Sequence, residues 1–249
     1  MIKLEINNNT GIIYLNRPEK RNALNPGLVK RFKELLLELK NNNQVRSIII
    51  TGEGNSFSAG ADLEYLQSLS NNTTKDNYED SKSLAELFLM IYELEKPTIA
   101  AVNGAAIAGG CGLASVCDFI VAHQDKSKFG YSEVKIGFIP AIVSIFLIKK
   151  VGEGLAKQLL LEGEMILGKR AYEIGFVNYL AEDVLNESIN LADRLNKNSV
   201  ESLRMTKQMI NNVSNLTVVD AVNHCINLNV ISRSTEEFKD GIISFLNKD

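Results

Sequence analysis

A chain of 249 residues that is 45% hydrophobic and 23% charged carries enough apolar material for one large core, with or without an appendage. Its 27 Lys and Arg against 30 Asp and Glu leave a formal net charge of −3, and the cations are scattered, which argues against a general grip on nucleic acid. No run reaches the roughly eighteen apolar residues of a membrane span, and the opening MIKLEINNN lacks the basic start and apolar block of a secretion signal, so a cytoplasmic enzyme is expected.

Residues 2–6 and 11–15 predict two short strands around the turn Asn7-Asn8-Asn9-Thr10. Pro18 and the polar residues around it make Asn16–Ala23 a loop, and Arg17, Lys20 and Arg21 form the densest basic patch of the chain. That patch is either a solvated surface or a grip on a phosphorylated ligand. From Gly27 to about Asn42, Leu28, Phe32, Leu35, Leu36 and Leu39 recur at helical spacing, a core-packing face. Val45 to Thr51 reads as a buried strand and runs into a Gly-rich turn ending at Gly60-Ala61-Asp62-Leu63. The third glycine of a dinucleotide fingerprint is Phe57 here, and there is no phosphate-binding G-x-x-x-x-G-K-[ST] loop, so an NAD enzyme or nucleotide triphosphatase is not expected. Asp62 is placed to cap a helix N-terminus. Residues 64–80 are the most polar and least periodic, and predict a mobile loop beside a site.

A helix from about Tyr78 to Glu95 is stopped by Pro97, and the strand Thr98–Val102 then breaks at Asn103-Gly104 and passes into Gly109-Gly110-Cys111-Gly112. Two glycines at the start of an apolar helix let a ligand approach the backbone and leave the first helical N–H groups free for an oxygen that gains negative charge. About twenty residues on, Glu133 is a lone carboxylate between Gly130-Tyr131-Ser132 and an apolar run to Pro140, and so a candidate acid or base as well as a candidate ion-pair partner. Ile142–Val151 and Glu153–Leu161 predict two helical segments, and strand alternates with helix up to about Tyr179, which indicates an α/β core. From Asp183 the pattern is helical only, with apolar faces that must pack on the core or on another subunit. Cys111, Cys117 and Cys225 lack CxxC spacing, and His123 and His224 form no metal-ligand pattern, so no disulfide framework, metal site or Ser-His triad is expected.

The segments Asn16-Arg17-Pro18…Arg21-Asn22-Ala23, Phe57-Ser-Ala-Gly-Ala-Asp-Leu63, Lys96–Gly104 with Ala108-Gly-Gly-Cys111, and Phe129–Glu133 followed by Gly137-Phe-Ile-Pro140 jointly make the chain resemble the enoyl-CoA hydratase/isomerase (crotonase) family over essentially its whole length. The resemblance implies an α/β fold, a crotonase-like spiral of ββα units over residues 1–182 with a helical trimerisation region at 183–249. It implies assembly as a homotrimer or as a hexamer made of two trimers. It also implies a coenzyme A thioester as substrate, with no permanently bound cofactor and no metal. Carried onto this sequence, the N–H groups of Ala61 and Gly109 match the family's oxyanion hole, and Glu133 matches one of two catalytic glutamates. Arg17 and Arg21 match contacts to CoA phosphates, Ala59, Ala61, Asp62 and Leu63 line the adenine end, and Phe245 and Lys248 match a tail that reaches the CoA of a neighbouring subunit. The second glutamate should follow Cys111, where this chain has Gly112.

A single carboxylate fits a one-base proton shuttle, a double-bond isomerisation, whereas hydration divides its work between two acids. Hydration through Glu133 and an ordered water, or with help from Tyr131 or the 64–80 loop, is the other reading. The Gly137–Ser144 segment resembles hydratase-like members, among them methylglutaconyl-CoA hydratase of branched-chain amino-acid degradation. Thioester hydrolysis or decarboxylation is a third option, weakened by Ala141 where hydrolase relatives carry an acid, and a non-catalytic CoA-binding scaffold is the fourth.

Overall fold

Ile2–Asn7 (β1) and Thr10–Leu15 (β2) pair antiparallel, Ile2 opposite Leu15, around a turn in which Asn8 takes φ 51°. The computed structural model describes residues 1–247. A single 3-10 turn, Pro18–Lys20, leads to Pro26–Asn41 (α1), whose Asn25 side chain accepts the N–H of Leu28 and whose Leu28, Phe32, Leu35, Leu36 and Leu39 are buried, the face expected from their spacing.

Ser47–Gly52 (β3) is buried at every residue, the signature of a strand covered on both faces. Ser56–Ser58 (β4) follows, then Leu63–Leu69 (α2) and Thr74–Tyr92 (α3). Residues 64–80 are thus mostly helical, parts of α2 and α3 joined by a short turn at 70–73, where the sequence predicts a loop. Asp62 caps α2 through the N–H of Glu64, and Thr73 and Asp76 form a reciprocal capping box that starts α3. The periodicity is weak because α2 buries nothing and α3 buries only Leu87, Phe88 and Ile91.

Thr98–Val102 (β5), Ala105–Ile107 (β6) and Gly109–Val116 (α4) come next, followed by Phe119–Ala122 (β7), Lys128–Gly130 (β8) and a 3-10 turn at Glu133–Ile136. Ala141–Glu162 (α5) is continuous apart from a break at Gly152 (φ 76°, ψ 166°), which divides it as the sequence pattern divides Ile142–Val151 from Glu153–Leu161. Ile166–Leu167 (β9), Gly168–Glu173 (α6) and Tyr179–Leu180 (β10) complete the α/β part.

The strands form two sheets in the orders β1-β2-β3-β5-β7-β10 and β4-β6-β8-β9. Consecutive strands β3 and β4, β5 and β6, and β7 and β8 each give one member to each sheet before the chain turns into a helix, so every turn adds a strand to both. Strands β4, β6 and β8 are parallel, with Ser58 opposite Ala106 and Ile107 opposite Gly130. The main core lies between one face of the large sheet and α1, α3, α4 and α5, with Phe32, Phe57, Phe88 and Phe129 among its buried side chains.

Val184–Asn196 (α7) covers the other face, where Val184, Leu191 and Ala192 pack with Ile12, Ile49, Ile99 and Val121. Val200–Val213 (α8) docks on the α/β part, with Met205 buried, Lys207 paired with Asp118 and Asn211 donating to the Tyr92 carbonyl, whereas Val218–Arg233 (α9) and Glu236–Leu246 (α10) stand clear of the core. No residue of α9 or α10 is buried, although Val218, Val222, Ile226, Val230, Ile242 and Phe245 are apolar. Among the described residues no helix is long and apolar enough to cross a membrane.

Candidate active site

Three parallel strands of the small sheet end at one edge, and the candidate groups leave from there: Ala61 after β4, Gly109 after β6 and Glu133 after β8. The carboxyl ends of parallel strands are where a crevice for a ligand opens. The segment 60–62 is pinned by Leu24, whose N–H donates to the Gly60 carbonyl at 2.7 Å and whose carbonyl accepts the Asp62 N–H at 2.9 Å. Gly60 has φ 82°, and a β-carbon on it would stand 2.6 Å from the Ile107 carbonyl oxygen and 3.1 Å from the Gly109 nitrogen, so only glycine lets the two loops meet.

Neither the Ala61 N–H nor the Gly109 N–H has an acceptor among the described residues, and both residues are partly open to solvent. Two free donors on touching loops, one of them at the start of α4, suit an oxygen on which negative charge develops.

Glu133 opens its 3-10 turn and is only 7% exposed, and its Oε2 has no hydrogen-bond partner. Burial pushes its carboxyl above the ordinary carboxylate range, partly offset by a backbone hydrogen bond. The turn is closed by the Phe138 N–H donating to the Glu133 carbonyl at 3.0 Å, with Gly137 at φ 74°. Beneath it lie Tyr131 and Cys111, both fully enclosed. Burial pushes the Cys111 thiol up to about 12 and the Tyr131 phenol well above its usual value, so neither ionises near neutrality. Tyr131 is 2% exposed, and its hydroxyl, like Glu133 Oε2, is buried without a hydrogen-bond partner.

Gly112 lies on the inner face of α4, where a β-carbon would come within 2.2 Å of Val143 Cγ1 and 3.2 Å of Phe88 Cε2. The side-chain space at Gly112 is therefore filled by an α5 valine and an α3 phenylalanine.

Arg17 and Asp62 meet each other: Nη2 donates to Asp62 Oδ2 at 2.9 Å and Nη1 to the Ala23 carbonyl at 2.8 Å, with the side chains 13% and 9% exposed. Arg21 is exposed, while its carbonyl accepts the Ala59 N–H at 2.9 Å. Leu63 is 75% exposed at the start of α2, and Phe245 is 77% exposed in α10. Lys248 lies outside the described residues. Asn22 was not singled out by its sequence context, yet it is buried and ties three segments together, accepting the Arg17 N–H and donating to the Glu53 and Ser56 carbonyls. Its signal was the pair Arg21-Asn22, both with positive φ, a turn that asparagine tolerates. His123 is buried, with Nδ1 accepting the Asp125 and Lys126 N–H groups and Nε2 against Glu182, a packing role away from these loops.

The sequence model of the enoyl-CoA hydratase/isomerase family matches residues 5–249. This chain belongs to the enoyl-CoA hydratase/isomerase family. A family member from Thermus thermophilus is 39% identical over 250 residues, covering 100% of this chain and 98% of its own length. The crotonyl-CoA hydratase of Syntrophomonas wolfei is 34% identical, covering 99% and 95%. A crystal structure of an enoyl-CoA hydratase from Polaromonas sp. superposes with a TM-score of 0.95 at 34% identity, covering 99% of this chain and 97% of that one. The two-sheet spiral is the crotonase fold, and the chain is an enzyme of the hydratase/isomerase class.

Proposed function

We propose that this enzyme processes an unsaturated acyl-CoA through an enolate, with the Ala61 and Gly109 N–H groups holding the thioester oxygen and Glu133 as the single acid and base. One observation carries the one-acid reading: the side-chain space at Gly112, where the family places its second glutamate, is taken up by Val143 and Phe88. The unpartnered Oε2 of Glu133 supports the base, and its raised proton affinity brings it closer to neutrality, where a base is most effective. Glu133 removes a proton from the α-carbon of a 3-enoyl thioester, and the electron pair moves onto the thioester oxygen between the two N–H donors. The enolate then collapses as Glu133 returns the proton to the γ-carbon, which leaves the double bond at the 2-position. No water is consumed.

Hydration of a conjugated enoyl-CoA is the second reading, supported by relatives named as hydratases, and it would use Glu133 with a bound water. Hydrolysis or decarboxylation has less support, since Ala141 at the start of α5 brings no acid, and intact loops with a free carboxylate argue against a mere scaffold.

The CoA thioester is a substrate, with no permanent cofactor. The exposed Arg21 suits its phosphates, whereas Arg17 and Asp62 act by shaping the loop that, with Ala59 and Leu63, borders the adenine end. A homotrimer, or a hexamer built from two, would cover the apolar faces of α9 and α10 and bring Phe245 to a neighbour's CoA. The expected setting is cytoplasmic acyl-CoA breakdown, from fatty acids or branched-chain amino acids.

Purified enzyme given crotonyl-CoA, 3-methylglutaconyl-CoA or a 3-enoyl-CoA distinguishes the readings. A mass-neutral gain of conjugation from the 3-enoyl-CoA, lost in Glu133→Gln, supports isomerisation. Addition of water to either conjugated substrate, lost in the same variant, supports hydration. Turnover that survives Glu133→Gln rejects both.

A further inference from the structure

We infer that Ala108 is a positioning residue, a strained wedge that sets the direction of the Gly109 N–H and its distance from the Ala61 loop. Ala108 joins β6 to α4 with φ 50° and ψ −120°, a conformation that glycine adopts freely and an L-residue resists. Among the described residues three other non-glycine residues have positive φ: Asn8 and Asn22, a residue type at ease there, and Arg21, which lies in the left-handed helical region at ψ 38°. Ala108 has neither excuse, and it immediately precedes a proposed oxyanion donor.

The strain is held from three sides. The Ala108 N–H donates to the Gly130 carbonyl at 2.8 Å, and its carbonyl accepts the Gly112 N–H at 2.9 Å as the first turn of α4 forms. Its methyl group stands 3.1 Å from the point that a β-carbon of Gly60 would occupy, so it faces the bare backbone of the facing loop at a place where only glycine leaves it room. The residues just before the two donors, Gly60 and Ala108, thus meet as backbone against methyl. Glycine at 60 provides the depression, and alanine at 108 the body that fills it. Removing the methyl relaxes the peptide that carries the Gly109 N–H and lets the two loops close or rotate.

The inference rests on the reading that these N–H groups polarise a thioester, and the experiment separates the two. Crotonyl-CoA bound to E133Q stays unreacted, and polarisation of its conjugated thioester appears as a shift of its absorbance to longer wavelength. Absence of that shift in E133Q rejects the oxyanion reading, and the wedge with it. Given the shift, the wedge requires A108G/E133Q to lose about half of it or more, and A108S/E133Q, which keeps a β-carbon, to retain it. In the active enzyme A108G should lower kcat by about tenfold to hundredfold with KM within about twofold, the scale expected of a misplaced donor. Its Tm should not fall, since glycine relieves the backbone strain. An A108G enzyme with normal kcat and an unchanged spectral shift, or an A108S enzyme as impaired as A108G, overturns the wedge.

Discussion

Val143 Cγ1 lies 2.2 Å from where a β-carbon on Gly112 would stand, and Val143 Cβ lies 2.8 Å from it, so these two residues exclude each other's growth. Gly112→Ala should therefore cost about 1–3 kcal/mol, the usual scale of overpacking. Alanine at 143 still leaves the β-carbon too close, so Val143→Gly is the partner that relieves the clash. A thermal-melt cycle over the two single variants and the double should show favourable coupling. The variant G112E/V143G should then gain water addition to crotonyl-CoA relative to V143G, measured by loss of enoyl absorbance, whereas G112E alone should be poorly folded.

Glu133 links stability and turnover in opposite directions. Its proton affinity is raised in the folded state, so the protonated form favours folding below the unfolded value of about 4.3. That contribution is lost as pH rises through the folded value. Glu133→Gln should accordingly melt higher than the wild type at pH 8, with the gap closing toward pH 4, while catalysis disappears. The wild-type kcat should rise with pH through a value above the ordinary carboxylate range. Paired melting curves and a pH profile check both statements.

Much of this site was legible in the sequence, and the limits of that legibility were physical. The buried run Ser47-Ile-Ile-Ile and the strand Thr98–Val102 announced themselves because both faces are covered, and Asp62 reads as a cap because its carboxylate can reach the N–H groups of the next turn. Strands β4, β6 and β8 have three residues each, too few to carry a period, so the small sheet that gathers Ala61, Gly109 and Glu133 emerges only from pairing. The glycine at 112 is visible in the sequence, but what fills the space beside it is not, because Val143 comes from a different helix. Charge says nothing of direction, so the basic patch alone does not disclose that the Arg17 guanidinium meets Asp62.

That ion pair makes a further prediction. The guanidinium of Arg17, helped by the N–H groups of Tyr65 and Glu64, holds the Asp62 carboxyl below the usual range. Its stabilisation is present above the unfolded value of about 3.9 and is lost as pH falls through the depressed folded value. Asp62→Asn leaves a largely buried guanidinium unpaired and should cost about 3 kcal/mol at pH 7, the low end for such pairs. Urea denaturation at pH 7 and pH 3 should show the difference shrinking in acid.

Helix α9 exposes Val222, Ile226 and Val230 to solvent in the single chain. Ile226→Lys with Val230→Lys should convert an assembly of three or six copies into single chains, read by sedimentation velocity. A wild type that sediments as a monomer rejects the assembly reading.

Both sheets list their strands in the order of the chain, β1-β2-β3-β5-β7-β10 and β4-β6-β8-β9. Each strand emerging from the ribosome can thus add to the edge laid down just before it, with no insertion between existing partners. Until the next strand arrives, that edge offers unpaired backbone groups to any neighbouring nascent chain. Growth ends on β10 and β9, two residues each, which leave almost no edge for another molecule to extend.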